Sequence, residues 1–169
     1  AEGAWPTEQF NSAGILLRDP DGSAENSVMW NVGSQFNGPA TEGKRTVASE
    51  SELELSGIGA AANADPRFMT MRVCRIGDDF VLSRRVPGTA TFVATHEYTH
   101  EGLSSAVQAG MALTSWNGGG GTPNVSVTPN VAGRWDYARF SVISSLDDCL
   151  VATPSCDDGL LDQDETDID

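Results

Sequence analysis

Apolar and polar residues alternate with a period of two along most of this chain. The clearest case is residues 67–85, RFMTMRVCRIGDDFVLSRR. Met69, Met71 and Val73 occupy one set of alternate positions, and Thr70, Arg72 and Cys74 the other. After a break at Gly77-Asp78-Asp79, Phe80 and Leu82 share one face while Val81, Ser83 and Arg85 take the opposite one. Two alternating runs around a Gly/Asp break predict a hairpin and argue against a helix. An isolated hairpin is only marginally stable, so other strands must flank it.

The same reading runs along the rest of the chain. In NSAGILLRD, Ala13, Ile15 and Leu17 alternate with Gly14, Leu16 and Arg18, and Asp19-Pro20-Asp21-Gly22 ends the strand with turn chemistry. Residues 26–35 carry Val28, Trp30 and Val32 on one face. A polar connection over 36–44 leads to one extended run over 45–55, and the Gly/Ala-rich 56–65 reads as a loop. Beyond the hairpin, 89–95 is β-branched and extended, and 107–116 sets Val107, Ala109, Met111 and Leu113 on one side. A closing strand over 136–144 is expected to turn Ala138, Phe140 and Val142 inward. Eight or nine short strands and no convincing helix predict an all-β fold, a two-sheet antiparallel β-sandwich of jelly-roll type. It spans residues 1–146, followed over 147–169 by an acidic, Cys-containing tail or inter-module linker.

Composition narrows the setting. The 169 residues, 39% hydrophobic, form one domain with a sizeable core, and 18 glycines and 8 prolines suit a strand-and-turn architecture. With 24 acidic against 10 basic residues the net charge is −14, which disfavours nucleic acid and anionic membranes as partners. No apolar run is long enough to insert in a membrane. Cys74, Cys149 and Cys156 are an odd set: Cys149 and Cys156 can close a small loop, leaving Cys74 as a buried free thiol. A disulfide would fit the extracellular or cell-surface location that the composition suggests.

The order of these elements resembles a known family. SAGILLRD, a section ending KRTVASES, RFMTMRVCRIGDDF, SSAVQAGMALTSW and YARFSVIS follow one another as in concanavalin A-like jelly-roll modules. They are most similar to modules appended to secreted bacterial glycosidases and surface proteins. There an "AGL-x-x-R" strand, an "L-R-L-x-R-x-G-x-x-F" hairpin, a "Q-V-G-L" strand and a closing "F-D/S-x-V" strand recur. The resemblance covers residues 12–144 and implies a lectin- or glucanase-like sandwich. Such modules usually have one or two strands before the "AGL" strand, where this chain has some eleven residues.

Several constellations are candidates for chemistry. His96-Glu97-Tyr98-Thr99-His100 is an HExxH, which on a helix sets two histidines on one face to bind Zn²⁺ with the glutamate as base. The helix is the condition; the β-branched run before it and Gly102 after it predict instead a polar loop outside the core, so zinc is not expected. Glu50, Glu52 and Glu54 alternate on one face but lack the spacing and central aspartate of a glucanase strand, and they read as a solvated edge. Trp116, Trp135 and Tyr137 are the candidate sugar platforms, since a flat ring stacks on the apolar face of a pyranose. Two acidic groups are candidate Ca²⁺ ligands: Asp19, Asp21 and Glu25 in one loop, and Asp157, Asp162 and Asp164 in the tail.

These readings converge on a non-catalytic extracellular carbohydrate-binding or adhesion module of a larger secreted or surface protein. A glycan or a neighbouring protein module would be its partner. The alternatives are a structural sandwich that forms homo-oligomers by edge-strand pairing and, less favoured, a zinc-dependent hydrolase built on HEYTH.

Overall fold

A computed structural model describes residues 10–21, 25–35, 38–57, 69–86, 89, 91–116, 133–135 and 138–150. The strands are β1 (Phe10–Arg18), β2 (Ser27–Gln35), β3 (Gly38–Val47), β4 (Glu50–Gly57), β5 (Met71–Ile76), β6 (Asp79–Arg85), β7 (Phe92–Thr99) and β8 (Gln108–Trp116). A 3₁₀ turn, Leu146–Cys149, follows. All pairings are antiparallel. Five strands form one sheet in the order β4-β3-β2-β1-β8, and β5-β6-β7 form the second. The two sheets pack face to face, so the fold is an all-β antiparallel sandwich.

The central hairpin forms as its alternation dictates. Phe80 and Leu82 point into the sandwich with Met71 and Val73 beside them, against Val28 and Trp30 of β2. Trp30 is fully buried and donates its indole N–H to the carbonyl of Ser83 at 3.1 Å, which ties the two sheets at their centre. Burying each such side chain is worth about 1.5–3 kcal/mol. Cys74 and Val81 face the other way, onto a second small core. The 3₁₀ turn closes that core from outside, bringing Ile143, Leu146 and Leu150 against the sheet.

Cys74 is disulfide-bonded to Cys149. That overturns both the Cys149–Cys156 pairing and the free Cys74 expected from sequence proximity. The hairpin's outward face needs a cover, and the chain returns from 75 residues away to provide it. Arg72 reinforces the strap, donating to the carbonyls of Asp148 and Cys149 while its guanidinium stacks on Phe92. The first residues of the acidic segment, through Leu150, are therefore packed on the sandwich; 151–169 lie outside the described residues.

Two other expectations change. The "polar connection" and the single run over 45–55 are two strands, β3 and β4, joined by Ala48-Ser49. Both residues have positive φ, 49° and 72°, without the Gly or Asn that usually marks such a turn. Bonds from the β1–β2 loop hold it: Ala48 N–H donates to Asn26 Oδ1, and Ser49 N–H to the carbonyl of Glu25. The strand with the AGIL sequence, β1, lies between β2 and β8. Residues 138–143 belong to neither sheet. Phe140 and Val142 are 79% and 100% exposed, not inward.

Candidate functional site

The HEYTH stretch lies on β7 and at its end, not in a loop outside the core. On a strand, alternate residues share a face, so His96, Tyr98 and His100 turn inward and are buried while Glu97 and Thr99 are exposed. The glutamate that would serve as base in a zinc hydrolase thus faces away from both histidines. A bulge sets this phase. Leu82 pairs with His96 but Ser83 pairs with Ala94, leaving Thr95 as an extra residue. The bulge lets one strand serve two faces: Phe92 covers the outer core beside the strap, and His96 and Tyr98 enter the inner one.

Around His96 a polar group gathers where the β3–β4 edge meets β7. Glu54 of β4 lies 2.9 Å from His96 Nδ1. A carboxylate only accepts, so Nδ1 carries the proton, and in the neutral ring Nε2 is a bare acceptor. The His96 ring meets Trp30 edge-on at 5.2 Å and lies parallel to Tyr98 at 6.2 Å. Both rings fit because residue 43 is glycine: a Cβ there would sit 2.5 Å from the Tyr98 hydroxyl and 2.6 Å from His96 Cδ2. Arg45 pairs with Glu52, donates to the carbonyl of Thr99 and lies over the Tyr98 ring. Burial, and then the charge of Glu54, push the Tyr98 phenol well above its ordinary range, so it stays protonated.

Three buried polar atoms here have no hydrogen-bond partner: His96 Nε2, the Tyr98 hydroxyl and Arg45 Nε. Above them Glu52 and Glu54 are exposed. The group can thus hold a polar ligand on carboxylates and a guanidinium, backed by an imidazole acceptor and a phenol. The period-two spacing of His96, Tyr98 and His100 opposite Glu52 and Glu54 was the signal for it; the HExxH pattern drew attention to the wrong residue, Glu97.

His100 has a different role. Fully buried, it donates from Nε2 to the carbonyl of Thr46 at 2.7 Å. It sits near Asp19, whose carboxylate accepts from Ser104 N–H, Ser104 Oγ and Asn26 Nδ2. These bonds, those from Ser104 first, hold the Asp19 pKa below its ordinary value. Asp19 is therefore committed to joining three loops, while Asp21 and Glu25 are exposed. Among the described residues no group of three or more His, Cys, Asp or Glu is placed to hold a metal ion.

Asp157, Asp162, Asp164 and Tyr137 lie outside the described residues. Trp135 is 37% exposed and folds over Gly133. The register pairs Trp116 with Phe10, on the alternate positions of β8 that include Gln108 and Thr114. Those positions belong to the outer face of the five-stranded sheet. On that face Asn31 of β2 is fully buried, with neither amide atom partnered. Comparison of the chain with known family models, curated proteins and solved structures found no match.

Proposed function

We propose that this chain is a non-catalytic binding module of an extracellular protein and takes a hydroxyl-rich ligand of the glycan class. The observation that carries the reading is the set of buried, unpartnered atoms on Arg45, His96 and Tyr98 beneath the exposed carboxylates of Glu52 and Glu54. Buried polar atoms in folded proteins nearly always have partners, so a cluster of exceptions marks a place where ligand hydroxyls or water complete the bonding. Vicinal hydroxyls donate to carboxylates and accept from a guanidinium.

Two further features support the setting. A disulfide closing the hairpin's outer face suits an oxidising compartment. The sandwich agrees with the concanavalin A-like resemblance, and the jelly-roll kinship is part of this proposal. The strand geometry of HEYTH, with Glu97 turned from both histidines, weighs against hydrolysis.

Glycan-array screening followed by titration of Glu54→Gln and Arg45→Gln tests the reading. Binding that weakens at least tenfold in both variants, with an unchanged circular dichroism spectrum, supports it. No binding to any glycan, or binding indifferent to both changes, refutes it.

A further inference from the structure

The buried amide of Asn31 takes no part in the polar group around His96, since it lies on the opposite face of the five-stranded sheet. Val28, Trp30 and Val32 enter the core, so Met29 and Asn31 turn outward. The register then fixes their neighbours. Asn31 is flanked by Gly14 of β1 and Glu42 of β3, and Met29 by Leu16 and Lys44. On the other side of β3, Glu42 faces Leu55 and Lys44 faces Leu53. Asn31, Glu42 and Lys44 therefore form a triangle on one face. Glu42 stands directly opposite Asn31, and Lys44 lies two residues along β3, diagonal to Asn31. Diagonal positions of this kind are about 7–8 Å apart, within reach of a long side chain.

The members of the triangle are unusual where they stand. Asn31 is fully buried with both amide atoms unpartnered, whereas a buried carboxamide nearly always finds a partner. Gly14 makes room for it, as a Cβ there would meet Asn31 Oδ1 at 2.5 Å. Lys44 is the only lysine in the chain, the other nine of its 10 basic residues being arginines. It is half-buried between Met29 and Leu53, and Glu42 is half-buried beside it. A lysine amine is a nucleophile, as a guanidinium is not, and a carboxylate within reach of both groups can carry a proton between them.

We infer that Lys44 and Asn31 form an intramolecular isopeptide bond, with Glu42 as the proton carrier. The neutral amine Nζ of Lys44 attacks Cγ of Asn31, so that the Nζ–Cγ bond forms and the Cγ–Nδ2 bond breaks. Glu42 takes a proton from Nζ and delivers it to Nδ2, which leaves as ammonia. The step needs no oxidant, reductant or co-reactant. Its product is a secondary amide that ties β2 to β3 and removes one of the two unpartnered atoms of Asn31. The inference is independent of the ligand proposed for the Arg45/His96/Tyr98 group, which lies on the inner face.

Intact-mass spectrometry of the full chain, reduced and denatured, reads the bond directly. The expected mass is one ammonia below that of the sequence, and Lys44→Arg, Asn31→Ala and Glu42→Gln should each restore the full mass. Because Lys44 is the only lysine, a lysine-specific endoprotease should cut the unmodified chain once and leave the bonded chain whole. Fragmentation of the tryptic peptide 19–45 should then place the link between residues 31 and 44. A wild-type chain of full mass, cut to completion after Lys44, overturns the inference. So does an ammonia loss that persists in Lys44→Arg, since it would come from another amide. A loss kept in full by Glu42→Gln overturns the role given to Glu42.

Discussion

Removing the disulfide tests how the outer face of the hairpin is closed. The perturbation is Cys74→Ala with Cys149→Ala, since both side chains are buried and alanine leaves no unsatisfied hydroxyl. The bond spans 75 residues, for which the chain-entropy relation gives about −15 cal/mol/K, or about 4.5 kcal/mol at 25 °C. In a protein of this length 1 kcal/mol moves the melting temperature by about 2–4 °C, so a loss of about 9–18 °C is expected. Lost packing against Val81, Ile143, Leu146 and Leu150 adds to the effect. The assay is equilibrium urea unfolding, followed by circular dichroism and tryptophan fluorescence, with disulfide mapping of the oxidised protein by mass spectrometry. A difference below about 1 kcal/mol would refute the reasoning, because the strap would then gain nothing from its covalent tie. So would a mapped Cys149–Cys156 bond.

The remaining predictions follow from particular contacts. His96→Ala should cost about 2–4 kcal/mol in urea unfolding, because a buried ring against Trp30 is deleted and Glu54 loses its partner; a change under 0.5 kcal/mol would restore the loop reading. Gly43→Ala should destabilise by about 1–3 kcal/mol, as the added methyl meets the Tyr98 hydroxyl and the His96 ring; neutral stability would show that the rings can move aside. Ser49→Gly should instead stabilise by about 0.5–1 kcal/mol, since φ of 72° strains any residue with a Cβ; no gain would mean that the loss of the Ser49 hydroxyl bond to Glu25 N–H cancels the relief. Asp19 and Asp148 have folded pKa values below the ordinary 3.8, Asp19 through Ser104 and Asp148 through the N–H groups of Ser145 and Ser144. Their contribution is complete above that value and lost as pH falls through the folded pKa, so acid unfolding should steepen below about pH 4. Asp19→Asn should flatten that dependence; an unchanged acid limb would show that the carboxylate does not carry it.

Legibility followed the range of the interactions. The 67–85 hairpin and the β1, β2 and β8 alternations could be read because a half-buried strand writes its two faces into every second residue. The β3–β4 turn could not, because Ala48 and Ser49 carry no turn chemistry of their own. Asn26 and Glu25, more than twenty residues earlier, hold them in place. The covalent closure by Cys149 was equally silent, since the nearer Cys156 is the local choice and the sheet's outer face makes the distant one correct. The phase of β7 depends on one bulged residue, Thr95, and nothing in the sequence marks it. The inward set of His96, Tyr98 and His100 therefore reads from sequence as a loop, whereas the alternation of Glu50, Glu52 and Glu54 does mark the edge position that β4 takes.

That bulge also decides what the five letters HEYTH can do. On a helix the first and fifth residues meet and the second lies beside them; on this strand the first, third and fifth enter the core and the second leaves it. The same letters therefore supply core packing and a polar group instead of a metal centre. Such a group is expensive: an apolar trio at His96, Tyr98 and Arg45 would bury no unpartnered atom, whereas each orphan costs about 1–3 kcal/mol. Departures from local consistency of this kind concentrate at functional positions. Here the cost lies beneath two exposed glutamates on an edge strand, where a ligand can reach. His100 lies on the same inward face and is bonded to Thr46 through Nε2, with Nδ1 unpartnered, but it is fully buried and no exposed carboxylate pairs with it. If binding at this edge drives retention of the polar group, variants that fill it with apolar residues should gain stability and lose ligand together. His100 variants should lose stability alone.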